Sequence, residues 1–220
     1  MKKYKIAMII ILLLSLITCG VSLMFLGDSI PSHIGINGKP DQWAGKYFIL
    51  LFPGIMSLIT IIMLLLSKVV KLTENYKKYM LLTGTILNVM FYALTVVFIV
   101  YGITYTEETP AFDISKIMMI LFGIIFIVLG NFMPKIEKNR TLGLKTYWSM
   151  YNEVTWQKTH RFTGFVSVIV GVLTLVAGLF FKELVNFIIL MVLIFGLVIS
   201  CSIASYVYYK QEKKKESENQ

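Results

Sequence analysis

The sequence predicts an all-α, polytopic membrane helix bundle with six transmembrane helices and both termini cytoplasmic. Three observations carry that expectation. Of the 220 residues, 57% are hydrophobic and 15% are charged, against about 25% charged in ordinary soluble domains. A soluble globule of this size would have to display much of that apolar mass at its surface, so lipid is the better solvent. Six apolar runs are also free of Asp, Glu, Lys and Arg, and the basic residues fall almost entirely on one side of them.

The runs lie at 6–26, 47–67, 80–101, 117–133, 162–181 and 184–206. Each approaches the roughly 20 residues needed to cross about 30 Å of hydrocarbon at about 1.5 Å per residue. The first follows Lys2, Lys3 and Lys5. That pattern also describes a secretory signal, and Leu16-Ile17-Thr18-Cys19 resembles a lipoprotein cleavage site. Thr18 is a poor residue before such a Cys and the run continues unbroken to Leu26, so a retained helix is expected. Pro53 sits near the start of the second run, where a kink is tolerated, and Pro134 closes the fourth. The fourth run is the shortest and is expected to extend back through Ile114. Inside the runs, Asn88, Asn186, Thr83, Thr85, Thr174 and Ser200 to Ser205 read as interhelical hydrogen-bonding groups. Gly84, Gly123, Gly171 and Gly178 read as close-packing positions. Cys19 and Cys201 lie within apolar runs, where a disulfide framework is not expected.

Orientation follows from the positive-inside rule, because all the connections are short. Of the 21 Lys and Arg, only Lys39, Lys46, Lys116 and Lys182 fall on the side opposite the termini. The basic excess therefore lies against the inner leaflet, which makes membrane lipid the expected partner and argues against direct nucleic-acid binding. Three helices fall in residues 1–113, with an outer loop at 27–46. Three more fall in 114–220, with a cytoplasmic loop at 134–161 and a basic tail. The two halves are expected to form one integrated membrane domain.

Two loops are long enough to recognise anything. In the outer one, Asn37-Gly38 signals a tight turn between short β-like stretches, and Pro40-Asp41 is expected to start a second turn. Pro31, His33, Asn37, Gly38, Pro40, Asp41 and Trp43 are its recognition candidates. His33 and Asp41 supply two metal-ligating side chains without a third, so no metal site is expected, and Trp43 reads as an interfacial anchor. In the inner loop the candidates are Asn131, Asn139, Gly143, Lys145, Trp148, Trp156 and Arg161. Tyr147, Trp148, Met150, Tyr151 and Val154 gather on one helical face. That face suggests an amphipathic helix lying among headgroups, or else a docking surface for a cytoplasmic partner.

Catalysis finds little support. The two histidines, His33 and His160, fall on opposite sides of the membrane in this topology. There is no His-Glu-x-x-His helix, phosphate-cradling Gly-rich loop or Gly-x-Ser-x-Gly elbow, so neither an enzyme nor a cofactor is expected. Ion-coupled transport usually shows intramembrane carboxylates or basic groups, and these runs have none. A small transporter or permease subunit is the alternative reading.

At the two loops the sequence resembles the SdpI family of bacterial immunity proteins. The outer stretch from Ile30-Pro31-Ser32-His33 to Asn37-Gly38-Lys39-Pro40-Asp41-Gln42-Trp43 is similar to an amino-terminal module found in many members. The inner stretch is more specific: Gly130-Asn131-x-Met133, then Asn139-x-x-x-Gly143-Leu144-Lys145-Thr146-x-Trp148, then Glu153-x-x-Trp156 and Arg161-Phe162. The tail Ala204-Ser205-Tyr206-Val207-Tyr208-Tyr209-Lys210 fits as well. Lys145 and Tyr147 stand where the family commonly has Arg and Pro, so bidentate recognition of a carboxylate or phosphate is not expected at Lys145. The resemblance implies a non-enzymatic, multi-pass immunity protein of the bacterial plasma membrane. Its implied partners are a secreted toxic peptide and, in the signalling role of some members, a cytoplasmic transcriptional repressor recruited to the membrane.

Overall fold

The computed structural model describes residues 1–36, 38–69, 73–105, 112–139 and 142–218. The helices are α1 (Lys2–Ser22), α2 (Leu51–Val69), α3 (Glu74–Thr104), α4 (Ile114–Phe132), α5 (Glu153–Phe180) and α6 (Glu183–Glu218). Between α1 and α2 lie two strands, β1 (Ser29–Ile34) and β2 (Pro40–Gly45), and a 3-10 turn at Lys46–Leu50. All six helices are long and apolar enough to cross a membrane. Large apolar side chains such as Leu13, Ile17, Leu58, Val192 and Phe195 remain exposed, as they must where the neighbouring phase is lipid.

Several helices outrun the apolar segments that announce them. The α3 helix has 31 residues and α6 has 36, which at about 1.5 Å per residue gives roughly 46 and 54 Å, more than the hydrocarbon requires. Polar ends rich in Glu, Gln and Lys propagate a helix as well as apolar ones do. The α3 start is fixed by Thr73, whose hydroxyl accepts the Tyr76 N–H.

The chain forms two compact units, Met1–Ile114 and Ser115–Gln220. In the first, Asn88 is fully buried and donates Nδ2–H to Thr60 Oγ1 at 2.8 Å and to the Met8 carbonyl at 3.5 Å, linking α3 to both α2 and α1. A Cβ on Gly84 would lie 2.8 Å from Met63 and 3.0 Å from Met8, so the three helices meet closely there. Cys19, Leu26, Ile30, Ile49, Phe52 and Ile99 form a core that joins the helices to the strands.

The strands pair antiparallel, with Pro31 opposite Trp43 and Ile34 opposite Pro40, and the register shifts on either side of His33. Pro40-Asp41 therefore opens a strand and does not begin a second turn. A proline is admissible at the first residue of a strand, and cross-strand pairing overrides the local turn preference.

In the second unit α4 and α5 approach through glycine. A Cβ on Gly171 would sit 2.6 Å from the Gly123 carbonyl oxygen, and one on Gly164 would sit 2.6 Å from that of Gly130. Asn186 donates to Ser115 Oγ at 3.3 Å and to the Phe181 carbonyl at 3.0 Å. The hydroxyls expected to bridge helices divide. Thr83, Thr174 and Ser200 bond to carbonyls of their own helices, because a short hydroxyl reaches the preceding turn more readily than a neighbour. Thr85 reaches both the Leu81 carbonyl and that of Tyr4.

Candidate functional site

The α4–α5 connection folds back onto the start of α5. Pro134 lies in a 3-10 turn, Met133–Lys135, that ends α4. Beyond it Asn139 Oδ1 accepts the Leu142 N–H at 2.6 Å. Gly143 has φ +97°, a backbone conformation that L side chains rarely adopt. It also lies against His160, whose Nε2 would be only 2.3 Å from a Cβ at this position. This turn aims the Leu144 N–H at His160 Nε2, 3.1 Å away.

His160 Nδ1 lies 2.9 Å from the Trp156 carbonyl, which only accepts, so Nδ1 carries the proton and Nε2 is free to accept from Leu144. The ring is thus a neutral imidazole in one tautomer. Trp156 stacks on it with centroids 3.8 Å apart and donates Nε1–H to the Ile136 carbonyl at 2.7 Å. Both side chains are fully buried. The start and middle of the loop are therefore hydrogen-bonded to one face of α5.

The end of the loop is fixed in the same way. Buried Ser149 donates Oγ–H to the Leu144 carbonyl at 2.8 Å and accepts the Thr146 N–H at 2.9 Å. The Thr146 hydroxyl meets that of Ser205 on α6 at 2.5 Å. Asn152 caps α5 by accepting the Thr155 N–H at 2.8 Å and reaches Glu216 at 3.4 Å. Tyr151 donates its hydroxyl to the Glu216 carboxylate, which pushes the phenol above its ordinary range. Lys158 pairs with Glu212 at 2.7 Å. Trp148 packs edge-on against Tyr206, and Tyr151 against Tyr209.

These contacts correct two expectations. Residues 147–151 form turns, and α5 begins at Glu153 after its Asn152 cap, so there is no separate amphipathic helix across 147–154. The aromatics of that stretch pack on α6 instead of presenting a common face. Trp156 is an interior side chain bonded to Ile136, which removes it from any exposed docking surface. Gly143 serves the loop's own geometry. Among the other inner-loop candidates, Lys145 and Arg161 are exposed and Trp148 is half-buried. Asn131 is exposed at the end of α4 and donates to the Ile127 carbonyl. Sequence reasoning gave no structural weight to His160, Ser149, Glu212 or Glu216. The one available signal was the spacing of Trp156 and His160, four residues apart on one helical face.

The β1–β2 hairpin brings most of the other candidates together. His33 Nδ1 and Asp41 Oδ1 are 2.5 Å apart and both side chains are exposed. Pro31 is buried. Gly38 takes φ +73°, and its carbonyl accepts the Tyr101 hydroxyl at 3.4 Å. Trp43, half exposed opposite Pro31, lies edge-to-face with Tyr105 at 5.6 Å. Asn37 lies outside the described residues. Among the described residues no three His, Cys, Asp or Glu side chains are grouped to hold a metal.

Residues 135–208, which include the loop and α5, match the SdpI/YfhL protein family. Residues 10–57, which include the hairpin, match a domain of unknown function, DUF1648. The chain is 30% identical over 210 residues to Immunity protein SdpI of Bacillus subtilis (strain 168), covering 95% of this chain and 97% of that one. The protein belongs to the SdpI family. With its six spans it is a multi-pass bacterial membrane protein of that family. No solved structure matches the chain. The His160 clasp thus lies inside the region that defines the SdpI family, and the His33–Asp41 pair lies inside the second matched module.

Proposed function

We propose that this SdpI-family protein is an immunity protein, protecting the cell that carries it from a secreted, membrane-active peptide. The observation that supports this reading is its similarity to Immunity protein SdpI across 95% of the chain, which takes in both matched regions. The charge asymmetry supports an orientation with the hairpin outside and the α4–α5 loop and both termini in the cytoplasm. The peptide is met at the hairpin or among the outer helix ends, and burial of its apolar surface keeps it from permeabilising the bilayer. No bond is made or broken in this mechanism, and it uses no cofactor or metal.

The inner side carries the second role. Lys145, Arg161 and Trp148, flanked by Asn131 and Asn139, face a cytoplasmic transcriptional repressor, while the basic tail meets anionic lipid. Deleting the gene should sensitise a strain that meets the cognate peptide, and expressing it in a naive strain should protect. Unchanged sensitivity in both strains, with the protein present in the membrane, would overturn the reading.

A further inference from the structure

A two-stranded sheet leaves each strand with one unpaired edge, and in this hairpin the two edges differ. The Lys46 N–H donates to the Asp28 carbonyl at 3.1 Å, just beyond the strand ends. Bonded and non-bonded pairs alternate along an antiparallel ladder. Counting from that bond, the register makes Ile30–Ala44 a bonded pair, and Ser29–Gly45 and Pro31–Trp43 non-bonded ones. Residues of non-bonded pairs turn their backbone N–H and C=O groups away from the partner strand. On β1 these include Pro31, which has no N–H to offer, and β1 also packs against α3. On β2 they are Trp43 and Gly45, both exposed. Among the described elements β2 contacts only β1 and the 3-10 turn that follows it. No hydrogen bond among the described residues uses the Trp43 or Gly45 N–H. The strand has no Lys or Arg and its one Pro is its first residue, so the usual guards of an edge are missing at its outward positions.

We propose that the free edge of β2 receives the secreted peptide as an added extended strand, paired through the outward backbone groups of Trp43 and Gly45; the proposal rests on the immunity reading above. The chemistry of the occupant follows from the edge. Donor and acceptor groups repeating every second residue, about 7 Å apart, match another extended main chain. An apolar peptide must satisfy its own N–H and C=O groups before it can enter hydrocarbon, and this edge offers them partners outside it. The half-exposed Trp43 ring, at the centre of the edge, supplies apolar contact for the incoming side chains. Strand addition draws its affinity from main-chain bonds, so peptides of different sequence can share the site.

Gly45 allows the edge to be closed without disturbing the hairpin. Its φ of −58° and ψ of 150° are values that proline adopts freely, and a Cβ there would have only ordinary contact, 3.9 Å from the Asp28 carbonyl oxygen. Gly45→Pro removes one outward N–H, whereas Gly45→Ala keeps it. In a sensitive strain challenged with culture fluid from a peptide-secreting one, the Ala variant should protect like wild type and the Pro variant, at equal membrane abundance, should not. Equal protection by both variants would overturn the strand-addition site and leave the immunity reading standing; failure of the wild-type chain to protect would remove both. Amide hydrogen exchange on the full wild-type chain in phospholipid bilayers tests the site without a substitution. The Trp43 and Gly45 amides should exchange several-fold faster than that of Ala44, and slow several-fold when the peptide purified from that culture fluid is added. Unchanged exchange on addition would overturn the proposal. Slow exchange before addition would do so too, by showing the edge already taken by a second copy or by another part of the chain.

Discussion

The backbone N–H of Leu144 points into the unprotonated Nε2 of buried His160, 16 residues further along the chain and 3.1 Å away. One side-chain nitrogen thereby holds the middle of a long connection against a helix. The bond depends on its neighbours. Gly143 must take a positive φ to turn the Leu144 amide inward, and the Trp156 carbonyl must hold the Nδ1 proton so that Nε2 can accept.

Gly143→Ala should therefore be strongly destabilising. The new Cβ would meet His160 Nε2 at 2.3 Å in a backbone conformation that alanine resists. Overlap and strain together put the expected loss at about 2 kcal/mol or more. Gly20→Ala, with nothing within 4 Å of its new Cβ, is the matched control and should leave the unfolding midpoint in detergent nearly unchanged. Equal stability of the two variants would mean that the loop is not held by this contact.

Trp156 separates a packing role from a hydrogen-bonding one. Trp156→Phe keeps much of the buried ring but leaves the Ile136 carbonyl unpaired, an expected loss of about 1–3 kcal/mol. Trp156→Ala also empties the space against His160 and should cost about 3–5 kcal/mol. Membrane abundance should fall in the order wild type, Phe variant, Ala variant. A Trp156→Ala protein at normal abundance would restore the reading of Trp156 as a surface residue.

What was legible in the sequence depended on the range of the contact that decides it. The six spans could be read because each is set by the composition of a single run. The hairpin could be read from turn chemistry between two short stretches. The loop could not, because its bonds join Ile136 to Trp156, Thr146 to Ser205 and Tyr151 to Glu216 across 20, 59 and 65 residues. No local periodicity reports such pairs. Trp156 was misread for that reason: its amphipathic ring suits a headgroup layer and an interior carbonyl equally well. Asn88 was readable as an interhelical group because an amide is long enough to leave its own helix, whereas Thr83 and Thr174 are not.

Alkaline pH should loosen the bond between Tyr151 and the α6 extension. The Glu216 carboxylate accepts from the phenol and so raises its pKa, which favours the protonated form in the folded protein. The stabilisation is then fully present below the ordinary phenol value of about 10 and is lost as pH rises through the higher folded value. The difference in unfolding midpoint between wild type and Tyr151→Phe should be positive near neutral pH and shrink toward zero at strongly alkaline pH. A difference that grows with pH would contradict the assigned bond.

The α4–α5 contact should tolerate no side chain at its closest points. A Cβ on Gly171 meets a backbone oxygen at 2.6 Å, and backbone cannot move aside as a flexible side-chain end can. Gly171→Leu should reduce folded protein in the membrane sharply. Gly196→Leu, placed where nothing lies within 4 Å, should not. Similar abundance for both variants would show that α4 and α5 are not packed through Gly123 and Gly171.

The last prediction separates the two ends of the molecule by role. If the hairpin meets the peptide outside and the α4–α5 loop meets a regulator inside, reporters fused in the hairpin and after Gln220 should report opposite sides of the membrane. Charge reversal at exposed Lys145 and Arg161 should then leave protein level and protection intact while abolishing recruitment of the regulator, because a peptide arriving from outside never reaches them. Trp43→Ala should do the opposite. It removes a half-exposed ring that closes on Tyr105 beside the hairpin, so protection should fall while the inner loop still recruits. His33→Ala should keep protection, since the exposed His33–Asp41 pair contributes little fixed structure. Loss of protection in well-expressed Lys145→Glu and Arg161→Glu proteins would place the inner loop within the protective mechanism itself and end the proposed division of labour.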